Sequence, residues 1–250
     1  MPPRYEVIGV EGLPEFRQGD DLAALIVDAA RRQGTPIGAR DLLVVSQKIV
    51  SKAEGRLVRL SEVTPSPRAR AIAEEIGRDP RLVEVILGES RRIVRQAKGV
   101  LIVETHHGFI CANAGVDQSN VDADTACLLP ADSDRSAAAL LERLQALTGH
   151  ELAVIIADTF GRPWREGLVN VAVGLAGFEP IRSYLCVLDP AGYVLQATIL
   201  ALADELAGAA EPVMGKLDRI PVAIVRGLSW ERGNGSSRAL LRDPARDLFR

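Results

Sequence analysis

Two acids, each at the end of an apolar stretch and each followed by hydroxyl or amide side chains, carry the most chemistry in this chain. The first lies in Asn113-Ala114-Gly115-Val116-Asp117-Gln118-Ser119-Asn120-Val121-Asp122. A surface turn needs one Asn or Asp beside a Gly, because those side chains mimic a backbone turn and tolerate positive φ. Further oxygen-bearing side chains follow here, so Asp117, Ser119 and Asn120 read as ligands; the alternative is a polar loop that satisfies only its own backbone. The second acid is Asp158, which follows the apolar run 152–157 and precedes Thr159-Phe160-Gly161-Arg162-Pro163-Trp164-Arg165-Glu166-Gly167. A carboxylate at the end of a buried strand is well placed to hold a cation, with Thr159 as an additional oxygen.

Positive groups that can meet an anion are Lys48 and Lys52, in Ser46-Gln47-Lys48-Ile49-Val50-Ser51-Lys52, together with Arg162, Arg165, Lys216 and Arg219. Solvated lysines at a strand end are the competing reading for the first pair. Oxygen-rich sets suit magnesium or manganese, and magnesium commonly uses one or two carboxylates plus substrate phosphate oxygens. His106 and His107 are adjacent, so on a strand they point to opposite faces and make a poor chelating pair. The chain has no GxxxxGK[ST], GxGxxG or GxSxG motif. Spacing alone therefore reaches a metal-dependent enzyme acting on phosphate, working by electrostatic positioning rather than by histidine acid–base chemistry.

The elements that must position these residues follow from patterning. With 250 residues, 47% of them hydrophobic, the chain can bury a substantial core as one large domain or two small lobes. Its 30 basic and 33 acidic residues give a net charge of −3, which suggests neither nucleic-acid nor membrane affinity. The opening Met1-Pro2-Pro3-Arg4-Tyr5-Glu6-Val7 has no apolar signal core, and no segment reaches the roughly 18 apolar residues of a membrane span, so a cytoplasmic protein is expected. Three cysteines, Cys111, Cys127 and Cys186, without CxxC spacing, read as small core residues.

Strands are expected at 7–10, 42–45, 100–104, 109–111, 152–157 and 222–225, with a turn at His106-His107-Gly108. The run 42–45 has the character of a strand buried on both faces. Helices are expected after Asp20 or Asp21, after Ser66-Pro67, after Asp79-Pro80, and after Ser133 or Asp134 with an apolar stripe at Leu140, Leu141, Leu144 and Leu147. The segment 169–175 fits a strand or a packed helix, and at least the second half of 195–210 reads as a helix stopping near Pro212. The tail, 233–250, reads as a loop and a peripheral helix.

Five motifs, in order, resemble the coenzyme F420-0:L-glutamate ligase (F420 gamma-glutamyl ligase) family. They are Glu11-Gly12-Leu13-Pro14, Ser51-Lys52-Ala53-Glu54-Gly55-Arg56, Asn113 through Val121, Asp158 through Arg165, and Met214-Gly215-Lys216. The match covers residues 5–228, and the chain, ending at Arg250, resembles the stand-alone ligase rather than a fusion. The resemblance implies an α+β protein of mixed sheets and helices in two lobes, forming an intertwined homodimer. It implies a GTP-dependent amide ligase that adds L-glutamate to the lactyl carboxylate of coenzyme F420-0, and further glutamates through gamma linkages, releasing GDP and phosphate. A metal-dependent phosphohydrolase using the same aspartates is the alternative.

By motif, Asp117 and Asp158 resemble ligands of one Mg2+ or Mn2+ ion and Thr159 a ligand of a second, with K+ as a candidate monovalent ion. Asp117, Asp158 and Arg162 would serve the chemistry. Leu13, Pro14, Glu15, Phe16, Gln47, Lys48, Lys52, Asn120, Met214, Gly215, Lys216, Leu217, Asp218, Arg219, Ile220 and Pro221 resemble GTP-binding positions. Lys216 departs from the pattern, since some family members have an acid there that would bind the second metal; a lysine cannot.

Overall fold

A computed structural model describes residues 3–247. The first two residues of the opening segment and the end of the tail, 248–250, lie outside the described residues. In chain order the elements are β1 (Glu6–Gly9), α1 (Leu22–Arg32), β2 (Leu42–Ser46), α2 (Gln47–Ala53), β3 (Leu57–Arg59), α3 (Pro67–Ile76), α4 (Pro80–Gly88), β4 (Ser90–Ala97) and β5 (Val100–Thr105). They continue with β6 (Ile110–Ala112), β7 (Thr125–Cys127), α5 (Ser133–Thr148), β8 (Ala153–Arg162), β9 (Arg165–Ala176), β10 (Arg182–Ser183), β11 (Ile199–Leu200), α6 (Leu202–Met214) and β12 (Val222–Arg226). Helices and mixed sheets make this an α+β protein.

The central sheet has the order β1-β12-β2-β8-β9. Only β2 and β8 run parallel; the other neighbours are antiparallel. On one face Ala23, Ile26 and Ala30 of α1 and Ala137, Leu140 and Leu144 of α5 pack against Leu43, Val45, Val154 and Ile156. On the other face Ala203, Leu206, Ala207 and Ala210 of α6 pack against Leu42, Val44, Ile155 and Ala223. Both faces of β2 and β8 are covered, which is why their sequences read as unbroken apolar runs. A separate core sits beneath the β4-β5-β6 sheet, where Ile72, Ile76, Val83 and Ile86 of α3 and α4 meet Leu101 and Val103.

Local chemistry sets most boundaries. Asp21 caps α1 by accepting from Ala24 N; Ser66 and Asp79, each before a proline, cap α3 and α4. The start of α5 departs from expectation, because its cap is Asp132, accepting from Arg135 N, and not Ser133 or Asp134. Asp134 is committed elsewhere: its carboxylate accepts from Leu175 N, Ser236 Oγ and the Ser237 N–H and hydroxyl, tying the tail to the sheet. That tail forms short 3-10 turns at Ser237–Leu240 and Pro244–Arg246 instead of an α-helix.

Strand β8 does not stop at 157. It runs through Asp158 to Arg162, because 169–175 is a strand and pairs with it as far as Arg162↔Arg165. Helix α6 carries Pro212 inside its last turn and ends at Met214, near the proline as expected. Strand β4, with three arginines and two register shifts, had no clear period in the sequence. Cys111 and Cys127 are buried, whereas Cys186 is exposed and takes no part in a core. Among the described residues, no helix is long and apolar enough to cross a membrane.

Candidate functional site

The sheet pairing brings one edge of the molecule together. Ser46, the last residue of β2, sits opposite Ala157 of β8, so Gln47 and Lys48 emerge beside Asp158. Ser46 N donates to Pro221 O at 2.8 Å, which places the segment 214–221 at the same edge. β1 is antiparallel to β12, and Val10 N donates to Val222 O at 2.9 Å, so the loop 11–16 leaves the sheet there too. Four segments remote in sequence therefore line one rim, and the open end between parallel strands is where ligands commonly lodge.

Asp117 arrives from outside the central sheet. Asn113, Ala114 and Gly115 all have positive φ (53°, 57° and 70°), and a Cβ on Gly115 would stand 2.9 Å from Leu129, so only glycine fits that third position. The turn sends Asp117 into a two-residue bridge with Cys127, each N–H donating to the other's carbonyl. Its carboxylate meets Lys48 Nζ at 2.6 Å and accepts from Ser119 N and Ser119 Oγ, both at 2.8 Å. Lys48 also donates to Ser119 Oγ at 2.5 Å. Burial pushes the Asp117 carboxyl up, but the Lys48 and Ser119 hydrogen bonds outweigh it and hold the group below the ordinary carboxylate range.

Asp158 differs. The residue keeps some accessible surface, yet protein atoms crowd its carboxyl, and that burial pushes it up to about 6. The Thr159 N–H and the charges of Lys48 and Lys216 pull it down, while the negative charge of Asp117 pushes it up further. Asp117 and Asp158 thus sense each other. Among the described residues no group of three or more His, Cys, Asp or Glu converges as a metal site. Two carboxylates with hard oxygen donors, one of them raised by burial and by its neighbour's charge, fit a single divalent cation completed by substrate oxygens.

Beside Asp158 lies a closed ring of four side chains. Lys216 Nζ donates to Thr159 Oγ1 at 2.5 Å, Thr159 Oγ1 to Asn170 Oδ1 at 2.7 Å, and Asn170 Nδ2 to Glu211 Oε2 at 2.7 Å. Lys216 Nζ meets Glu211 Oε1 at 3.1 Å and closes it. Asn170 and Glu211 were missed in the sequence. A lone amide within the apolar run 169–175, and an acid three residues before Met214-Gly215, were the available signals. Asn170 is only 5% exposed because it sits opposite Thr159 in the β8–β9 ladder.

The remaining candidates divide. Gln47 is buried, accepts from Ser51 Oγ, and has a buried amide Nε2 without a partner. Lys52 is paired with Glu15, and Phe16 is buried, fixing the loop of Leu13 and Pro14. Asn120 is exposed at φ 57°. Gly215 turns the chain at φ 58°, where a Cβ would meet the Asp218 carboxylate; Arg219 is also at positive φ, and Ile220 packs against Gly9. Leu217 is 90% exposed. Arg162 is not brought to the acids: four residues further along β8, roughly 13 Å, its guanidinium donates to Glu166 O at 2.6 Å and Gly167 O at 3.4 Å. The histidines bind backbone carbonyls instead, His106 that of Gly88 and His107 that of Pro130. Burial raises the thiols of Cys111 and Cys127 to about 12 and about 11, so neither is a nucleophile.

Fold and rim together define a class: an α+β protein that brings a sparse carboxylate pair, Asp117 and Asp158, to one rim with Lys48 and Lys216. The sequence matches the family described as F420-0:Gamma-glutamyl ligase over residues 12–227. It is 50% identical over 247 residues to the coenzyme F420:L-glutamate ligase of Methanothermobacter thermautotrophicus, covering 98% of each chain. Identity is 46% over 241 residues to the protein of that name from Methanopyrus kandleri, covering 94% of each. It is 40% over 250 residues to that from Methanocaldococcus jannaschii, covering 99% of this chain and 97% of the relative. The chain belongs to the F420-0:gamma-glutamyl ligase family.

Proposed function

We propose that this protein is a GTP-dependent ligase that joins L-glutamate to the lactyl carboxylate of coenzyme F420-0 and can extend the product through gamma linkages. The observation that carries the reading is the meeting of Asp158, Asp117, Lys48 and Lys216 on one rim, in a chain whose relatives are named for glutamate ligation to F420. A carboxylate does not condense with an amine until one of its oxygens becomes a leaving group. Transfer of the GTP γ-phosphoryl group to the lactyl carboxylate makes an acyl phosphate and GDP. The glutamate amine then attacks the acyl carbon, loses a proton and expels phosphate. Bound magnesium or manganese would spread the charge of the transferring phosphoryl group.

Asp117 and Asp158 would hold that ion. Lys48 keeps Asp117 ionised and in place, and the Lys52 and Lys216 ammonium groups would donate to phosphate oxygens, with Gln47 beside them. The loop 11–16, Asn120 and the segment 214–221 complete the nucleotide's surroundings in this reading. Incubating the protein with GTP, Mg2+ or Mn2+, F420-0 and glutamate tests it. Phosphate release that requires both acceptor and glutamate, with a product heavier by glutamyl units, is expected. Phosphate release without them would replace this reading by a metal-dependent phosphohydrolase.

The same reading includes a homodimer. The β8–β9 hairpin extends beyond the sheet with Trp164 78% and Leu168 66% exposed, and Leu188 and Tyr193 are exposed in the excursion between β10 and β11. Such apolar surface is characteristic of a subunit contact. Light scattering is expected to give twice the chain mass, and Leu168→Lys to shift it toward the monomer.

A further inference from the structure

The ring of Lys216, Thr159, Asn170 and Glu211 bears on how many divalent ions the site takes, a question that rests on the metal-dependent reading above. Thr159 Oγ1 gives its proton to Asn170 Oδ1 and accepts from the Lys216 ammonium; Glu211 accepts from Asn170 and is paired with Lys216. Each partner is satisfied by another member of the ring. A metal ion on Thr159 would have to displace an ammonium group 2.5 Å from a neutral hydroxyl, which, unlike the Asp117 carboxylate beside Lys48, carries no charge to draw the ion in its place.

Charge counting sets how much cation the site can take. Asp117, Asp158 and Glu211 supply three carboxylates against the two ammonium groups of Lys48 and Lys216, the latter acting on Asp158 as well as on Glu211, which leaves one negative charge. One divalent cation is enough to offset it. A second beside Thr159 would face Lys216 directly, with no unpaired carboxylate there to hold it.

We infer that the Lys216 ammonium stands where a second divalent cation would otherwise sit, so that each chain binds one divalent ion, at Asp117 and Asp158, when nucleotide is present. Thr159 and Glu211 then act as positioning residues that hold the ammonium toward the nucleotide phosphates. The side chain is suited to that task because it approaches the ring from the loop beyond Gly215, at the rim where the phosphates would arrive, and remains largely exposed to an incoming anion.

Equilibrium dialysis of Mn2+ against the full chain, saturated with a non-hydrolysable GTP analogue and followed by electron paramagnetic resonance, tests this. One Mn2+ per chain with an uncoupled spectrum is expected. Lys216→Glu should bind a second Mn2+ and show spin coupling between the ions. With Mn2+ held at one equivalent per chain, Lys216→Ala should bind the analogue about tenfold more weakly, the worth of one charge-assisted contact. Circular dichroism checks that both variants are folded. Two coupled ions in the unsubstituted protein, a Lys216→Glu variant that stays at one, or a Lys216→Ala variant with unchanged nucleotide affinity would each overturn the inference. No Mn2+ bound by the unsubstituted protein would overturn the metal-dependent reading itself, and the inference with it.

Discussion

The two acids of the site live in opposite electrostatic circumstances. Asp117 comes on a loop that brings its own compensation: Lys48 at 2.6 Å and two hydrogen bonds from Ser119, which together keep its carboxyl ionised. Asp158 comes on a central strand, where the Thr159 N–H and the more distant charges of Lys48 and Lys216 do not offset crowding and the charge of Asp117. The difference shows which carboxylate the protein leaves under-compensated. Asp117 is held ionised by its own partners, whereas burial and its neighbour's charge oppose the ionisation of Asp158.

The contrast can be broken most severely at the strand. Asp158→Asn is expected to lower divalent-dependent ligation by at least about 10²-fold, the loss typical when one preorganised electrostatic group is removed, measured as initial rates at saturating Mg2+. Asp117→Asn should also abolish that activity with the fold intact by circular dichroism; near-normal turnover would remove Asp117 from the site.

Metal-free stability should then separate the acids by sign. A carboxyl raised in the folded state contributes most below its unfolded value and loses that contribution as pH rises through about 6. Asp158→Asn should therefore match the parent near pH 4 and exceed its stability by about 2 kcal/mol at pH 8, after discounting for solvent access. For Asp117, which is lowered, the contribution is present above the ordinary carboxylate value and lost as pH falls through the depressed one. Asp117→Asn should cost about 1 kcal/mol at neutral pH and less in acid. Urea unfolding in the presence of a chelator at several pH values reads both; parallel curves would refute the distinction.

Smaller effects lie in the supports. Asn170→Ala opens the four-membered ring and should reduce kcat/KM about tenfold, one lost hydrogen bond to an ionised partner, with little change in secondary structure. Ser119→Ala removes one of the bonds to Asp117 and should change rates only about twofold, while its carboxyl, followed by NMR, titrates closer to the ordinary value. A larger loss from Ser119 than from Asn170 would reverse the ranking of the two corners.

Much of this was legible in the chain because local rules apply locally. Proline-preceded caps at Ser66 and Asp79, the apolar run of β2, and a turn of Asn113, Ala114 and Gly115 need only near neighbours to be read. Asp132 as the cap of α5 was not legible, since Asp134 is removed from that role by Ser236, Ser237 and Leu175 across the fold. Nor was the length of β8, which depends on β9 continuing to pair with it past Asp158.

The sequence by itself determined the buried runs of β2 and β8, the capped helices α1, α3 and α4, the two acids and the family, since residue identities and motif order carry that information without any contact. Tertiary structure alone decided the company each acid keeps. Lys48 is adjacent in space to Asp117 and remote from it in sequence, and Lys216 reaches Thr159 only because β12 pairs beside β2 and carries its leading loop to the same rim. Electrostatic interactions act through distance in space, and that distance is set by sheet order, which no stretch of sequence states.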